Sequence, residues 1–236
     1  MSDWTIGNDR AELERQYGTQ TRLRTRAGFW APSPPGESPQ DIALEALRTS
    51  GAREVLEIGC GRGLFAQRLQ TELGVRVLAT DRSVAMVQAT AGRGVSAEVA
   101  DADHLPYPAD SFDAVVAMWM LYHVPDLDRT LAEVRRVLRP GGVLVAVTNG
   151  RRHTADLRAE AGLGPAVTSF MAEDGADHLS RHFDEVTTTP TSGRAVADHA
   201  TAQAYLSTFA PQAAERLAPF EGTRTYTGSG AVLVAR

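Results

Sequence analysis

The stretch Val55-Leu56-Glu57-Ile58-Gly59-Cys60-Gly61-Arg62-Gly63-Leu64 decides the fold: a run with the character of a buried strand enters a glycine turn, and a helical pattern follows. Glycines at such a turn permit positive φ and let a ligand approach the backbone without meeting a Cβ, while the start of the helix offers free N–H groups. This is a nucleotide-type site. A dinucleotide fingerprint wants glycine at positions 59, 61 and 64, but residue 64 is leucine and the third glycine stands at 63. The pattern is therefore G-x-G-x-G with the carboxylate of Glu57 two residues ahead. Taken alone, the motif also suits a tight strand-to-helix connection that binds nothing.

Outward from the turn, short β-rich runs alternate with helical ones, the signal for βαβ units and a parallel sheet. Strands are predicted at 53–58, 75–80, 95–100, 113–118 and 143–148. Helices are predicted at 64–73, 83–91 and 127–138, the first two ending at Gly74 and Gly92, and the third stopping before Arg139-Pro140-Gly141-Gly142. After Gly150 the rhythm is lost: a polar stretch 151–167, a helix 169–182, a strand near 184–189, a helix 198–209 and a last strand 230–235 are expected. Upstream, residues 9–30 read as one or two polar amphipathic helices, and the four prolines of 31–39 mark a hinge or lid boundary. Ser38 is placed as N-cap with Pro39 at the first helical position.

Composition narrows the function classes. The chain has 236 residues, with 24 basic groups against 29 acidic ones, a formal charge of −5 and no lysine. A broad basic surface for indiscriminate nucleic-acid binding is not expected. The absent lysine excludes Schiff-base, pyridoxal-phosphate and P-loop lysine chemistry. One cysteine, Cys60, makes neither an internal disulfide nor a Cys-rich zinc site, and no metal site is expected. The longest apolar stretch, 114–122, is far short of the ~20 residues of a membrane helix, and residues 1–16 lack the apolar core of a signal peptide. The expectation is a cytoplasmic enzyme.

Asp81 follows the second strand, Asp101-Ala102 the third, and Phe112-Asp113 open the fourth. The carboxyl ends of strands in an open α/β sheet converge on one crevice, which brings these acids to the glycine turn. The order and spacing of the turn, LPYP (105–108), SFDAVVAMWMLYHV (111–124) and LAEVRRVLRPGG (131–142) resemble the class I S-adenosylmethionine-dependent methyltransferases that act on small molecules. The resemblance covers about Val55 to Val147 and continues more weakly to the last strand. It implies an α/β, Rossmann-like seven-stranded sheet in the order 3-2-1-4-5-7-6 with the last strand antiparallel. An N-terminal helical lid and linker (1–50) would precede a methyltransferase domain (51–236) with substrate-side insertions at about 150–182 and 198–220.

The same resemblance implies S-adenosylmethionine as cofactor. Glu57 would hold the methionine ammonium, and Gly59, Cys60, Gly61 and Gly63 would pass along the amino-acid tail and ribose. Asp81 would take the ribose hydroxyls, Arg82 would flank the adenine, Asp101 and Ala102 would meet the adenine edge, and Met118 would offer its carbonyl. The bland alternatives are Asp81 as a helix cap, Cys60 as a small filler, and Met118, Trp119 and Met120 as core. The implied reaction is methyl transfer to N or O of a small molecule, as in bacterial natural-product tailoring, by a monomer or homodimer with no nucleic-acid or membrane partner. His123 and Tyr122 are the candidates for a general base, with Asp103 and His104 behind them. Tyr17, Trp30 and Trp119, with Phe29, are the candidate aromatic contacts to acceptor and sulfonium. His153, Phe170, Met171 and Tyr205 are candidates for a second acceptor wall. Arg22, Arg24, Arg26, Arg151 and Arg152 are candidates for an anionic acceptor. A nicotinamide oxidoreductase and a non-catalytic cofactor-binding module remain the alternatives.

Overall fold

The computed structural model describes residues 20–236. Seven strands form one sheet in the order β3-β2-β1-β4-β5-β7-β6. They are β1 (Glu54–Ile58), β2 (Arg76–Asp81), β3 (Ser96–Val99), β4 (Phe112–Met118), β5 (Leu138–Asn149), β6 (Val186–Ala197) and β7 (Arg224–Ala235). β1 to β5 are parallel, and β7 runs antiparallel to both β5 and β6. The helices are α1 (Gln20–Gly28), α2 (Pro39–Ser50), α3 (Leu64–Arg68, continued by a π-helical turn to Leu73), α4 (Val84–Ala91), α5 (Leu127–Val137), α6 (Ala155–Glu160), α7 (Gly175–Leu179), α8 (His199–Ser207) and α9 (Pro211–Arg216).

Side chains alternate across the central strands, and each face of the sheet has its own core. Leu56, Ile58, Val115, Ala117, Leu144 and Ala146 face Leu131 and Val134 of α5. Val55, Ala114, Val116, Val143 and Val145 face Leu44 and Leu47 of α2 with Phe65 and Leu69. Strands apolar on both faces need helices on both. α2, which the expectation grouped with the N-terminal lid, thus packs on the sheet. Its start is as predicted, with Ser38 Oγ accepting from the Asp41 N–H and Pro39 at the first turn. Asp126 caps α5 in the same way.

A third core stands apart from the sheet. β5 pairs with β7 only from Gly230 to Ala235, whereas β6 and β7 stay paired from Val186↔Ala235 to Ala197↔Arg224. The far half of this hairpin therefore projects past the end of β5 as a two-stranded ribbon. Ala195, Ala197 and Tyr226 on the ribbon pack with Leu157, Ala202, Tyr205, Leu206, Ala213 and Leu217 from α6, α8 and the α9 region, and with Phe29.

Three expectations change. The helix expected at 169–182 is reduced to α7, because other bonds claim the backbone before it: Thr148 Oγ1 donates to the Phe170 carbonyl and the Ala172 N–H to the Asn149 carbonyl from a distant strand, and the Met171 N–H donates locally to Asp174 Oδ1. The strands near 184–189 and 230–235 are each twelve residues long. α5 stops before Arg139-Pro140-Gly141-Gly142 as expected, but those residues form a bulge inside β5, which starts at Leu138 and not at 143, and the register jumps there from Phe112↔Leu138 to Ala114↔Val143.

Candidate active site

The ends of β1, β2, β4 and β5 and the ribbon enclose one cavity of about 1400 Å³. Its near end is the glycine turn. Gly59, Gly61 and Gly63 all have positive φ, of 64°, 54° and 68°, yet they serve different ends. A Cβ on Gly59 would lie 2.7 Å from Met120 Cβ, and one on Gly63 would lie 2.6 Å from Thr90 Cγ2. One on Gly61 would meet nothing within 4 Å. Gly61 thus presents bare backbone to the cavity, while Gly63 packs against Thr90 and is not among the residues that line it.

Glu57 sits below the turn, 1% exposed, with its Oε2 buried and without a partner among the described residues. Burial raises its pKa to about 8, the Ala66 backbone N–H opposing and the Asp81 charge assisting. A buried carboxylate without a cation is costly, so this position calls for a positive group supplied from the cavity. Asp81 Oδ2 accepts from the Gly61 N–H and its Oδ1 from the Ser83 N–H, both at 2.9 Å. The carboxylate therefore ties the turn to the end of β2. It is no cap for α4, whose N-terminus Ser83 caps itself, and it keeps acceptor capacity toward the cavity because a carboxylate has about four lone-pair sites. Cys60 also lines this end, its side chain buried beside Thr90 and its thiol pushed up to about 12 by burial. Arg82, Asp101, Ala102, Asp103 and Met118 also line this end.

Beyond β4 the cavity widens. Trp119 lines it with φ of 54°, a left-handed conformation costing about 1–3 kcal/mol in a non-glycine residue. The bond from its N–H to the Val147 carbonyl, 2.8 Å, holds it there. Tyr122 is buried in the sheet core and meets His123 edge to face at 4.4 Å. Burial, with the Arg26 and Arg82 charges, pushes His123 down to about 3, so its ring is neutral.

The far end is built by the ribbon. Trp30 lies in a slot between Gly193 and Gly228, where a Cβ on Gly228 would come 2.8 Å from the indole, and the Ala31 N–H donates to the Arg194 carbonyl. His153, Met171 and Tyr205 line this end as expected, whereas Phe170 is fully buried in the sheet core. Phe29 stacks on Tyr205 at 3.9 Å inside the third core rather than in the cavity. Tyr17 lies outside the described residues. Of the arginines expected to meet an anion, Arg26 lines the cavity and donates to Thr208, while Arg151 pairs with Asp174 away from it. Sequence reasoning missed Arg158, 3% exposed, which lines the cavity and donates to the carbonyls of Gly164 and Pro165. It also missed the Gly193 and Gly228 slot, although glycine inside a strand signals close approach of another group.

A methyltransferase domain model matches residues 56–146, the part of the chain that carries the turn and the first five strands. Over those residues the chain is similar to the class I S-adenosylmethionine-dependent methyltransferases. It is 36% identical over 129 residues to the methyltransferase GfsG of Streptomyces halstedii, covering 51% of this chain and 46% of that one. It is 34% identical over 185 residues to the 27-O-demethylrifamycin SV methyltransferase of Amycolatopsis mediterranei, covering 72% and 63%. It is also 33% identical over 135 residues to the mitochondrial arginine hydroxylase NDUFAF5 of Rattus norvegicus, covering 52% and 39%. The chain thus spans about two fifths to just under two thirds of the length of these relatives. The solved structure of the cyclase SpnF superposes with a TM-score of 0.62 at 18% identity, covering 100% of this chain and 99% of that one, and so shares the fold. S-adenosylmethionine, the cofactor of the similar methyltransferases, fits the near end of the cavity: its ammonium would answer the unpartnered Glu57 oxygen, and the bare backbone at Gly61 would leave room for its ribose.

Proposed function

We propose that the chain transfers the methyl group of S-adenosylmethionine to an oxygen or nitrogen of a bulky small molecule, a bacterial secondary metabolite. The observation that carries this reading is the continuous cavity running from Glu57 to Tyr205, whose volume of about 1400 Å³ exceeds the ~300–1,000 Å³ of ordinary ligand pockets. It is large enough for a cofactor and a sizeable acceptor end to end. Glu57 would hold the ammonium, Asp81 the ribose hydroxyls, and Arg82, Asp101 and Ala102 the adenine. The cofactor supplies a methyl group already activated by positive sulfur. Orienting the acceptor and excluding water are then the protein's contributions, worth up to ~7–11 kcal/mol in favourable cases. Trp119 and Trp30 frame the acceptor, and the neutral ring of His123 accepts a hydrogen bond from it. The relatives from Streptomyces and Amycolatopsis, one of them named for an O-methylated natural product, support the acceptor class.

No helix among the described residues is long and apolar enough to cross a membrane. A cytoplasmic monomer or homodimer is part of the proposal. Titration calorimetry with S-adenosylmethionine, followed by S-adenosylhomocysteine release across a panel of hydroxyl and amine acceptors, tests it. Tight binding without release from any acceptor would favour a module that holds the cofactor for another purpose, as the hydroxylase and cyclase names among similar proteins illustrate. Binding of NADH instead would favour the oxidoreductase reading, against which Leu64 stands at the position of the third dinucleotide glycine.

A further inference from the structure

The acceptor end of the cavity holds a second imidazole, that of His153. After β5 the chain turns at Gly150, and the loop is laced to β7: the Gly150 N–H donates to the Ser229 carbonyl at 2.9 Å and the Thr154 N–H to the Thr227 carbonyl at 3.0 Å. His153 Nδ1 lies 3.0 Å from that same Ser229 carbonyl. A carbonyl oxygen only accepts, so Nδ1 carries the proton and Nε2 carries the lone pair. The two lone pairs of the Ser229 oxygen are filled by Gly150 and by His153, which fixes both the tautomer and the direction of the ring. Nε2 looks into an aromatic corner, with the Tyr205 hydroxyl 3.5 Å away, at the outer limit of hydrogen bonding, and the Trp30 ring centred 5.0 Å from the imidazole. His153, Tyr205 and Trp30 all line the cavity.

Resting on the methyl-transfer reading, we propose that His153 is the proton acceptor for a hydroxyl that receives the methyl group. Its Nε2 takes the O–H proton while the oxygen forms its bond to the methyl carbon. The carbon–sulfur bond breaks and its electron pair stays on sulfur. One positive charge leaves sulfur as another appears on the ring, so the cavity's total charge is unchanged. Burial, assisted by the Arg158 charge and opposed by the Ser229 carbonyl, holds this ring at about 4. It is therefore in its base form near neutral pH, yet too weak to strip an alcohol in advance, and the proton must move as the new bond forms. His123 is a poorer home for that charge, being set down further, to about 3, with two guanidinium groups, Arg26 and Arg82, contributing.

The test uses the full chain with S-adenosylhomocysteine and takes p-nitrophenol as the hydroxyl probe. Long-range proton–nitrogen NMR spectra, with the His153 signals assigned by their loss in His153→Gln and their retention in His123→Gln, should show a protonated Nδ1 and a bare Nε2 across the neutral range. Millimolar p-nitrophenol should shift the Nε2 resonance. A ring protonated at Nε2, or an Nε2 resonance the probe leaves in place, overturns the proposal. Calorimetry separates the two failures: wild-type protein that does not bind S-adenosylmethionine removes the methyl-transfer reading and this proposal with it. Cofactor binding with the wrong tautomer removes the role of His153 alone.

Discussion

The two ends of the cavity are built by different means. At the cofactor end, Glu57, Gly61, Asp81 and Asp101 come from the ends of three neighbouring parallel strands within fifty residues of chain, and backbone N–H groups hold Asp81 in place. At the acceptor end, Trp30, His153, Arg158 and Tyr205 come from segments as much as 175 residues apart, assembled on a ribbon that extends past the sheet. The first end is a property of the fold. The second is assembled from distant segments of this chain.

That contrast breaks if variants at one end disturb the other. The largest effect is expected from Asp81→Ala, which deletes two hydrogen bonds from backbone N–H groups to a carboxylate, at about 1.5–3 kcal/mol each. Affinity for S-adenosylmethionine should fall about a hundredfold or more by calorimetry, and unchanged affinity would count against the whole cofactor assignment. Next, Gly228→Val should push Trp30 from its slot and cost about 1–3 kcal/mol of overpacking, a fall in Tm of several degrees for a domain of this size. Cofactor affinity should stay within about twofold, since Gly228 lies at the other end; a large loss would join the two regions.

A third prediction sharpens the cofactor end through pH. Glu57, raised from 4.5 to about 8, binds a proton in the folded protein that the unfolded chain has released. Its contribution to stability is therefore fully present below about 4.5 and lost as pH rises through about 8. An ammonium needs the ionised form, so cofactor affinity should rise close to tenfold per pH unit below about 8, with proton release in calorimetry run in buffers of different ionisation enthalpy. Glu57→Gln should bind more weakly and lose the component of this slope that Glu57 supplies; identical slopes in the two proteins would refute the coupling. The smallest effect is expected from Arg151→Ala. Its ion pair with Asp174 is half exposed and away from the cavity, so stability should change by less than about 1 kcal/mol and transfer to any acceptor found should be unaffected.

Much of the cofactor end was legible in the sequence because strand, turn and helix are contiguous there. The backbone geometry of a βα connection restricts what can stand at Gly59, Gly61 and Gly63. Even so, only the structure separates Gly61, where a Cβ would meet nothing, from Gly59 and Gly63, where it would strike Met120 and Thr90. The acceptor end was legible only in fragments. β6 is rich in threonine and carries Pro190, which an edge strand tolerates because one side of its backbone needs no partner, so the length of the ribbon left little trace in hydrophobic periodicity. Phe170 reads as part of a helix, yet bonds to Thr148 and Asn149 around it from a distant strand override that propensity.

By itself, then, the sequence determined the alternating strands and helices of a parallel sheet, the glycine turn and the absence of lysine from any chemistry in the cavity, because these follow from residue type and spacing, while the order of the strands was implied by the family resemblance. The tertiary structure decided that His153 Nδ1 meets the Ser229 carbonyl, where Trp30 rests, and which arginine is buried at the cavity wall. Those depend on side chains meeting across long loops, and a Ser229 carbonyl beside His153 is visible only once β7 has been laid against β5.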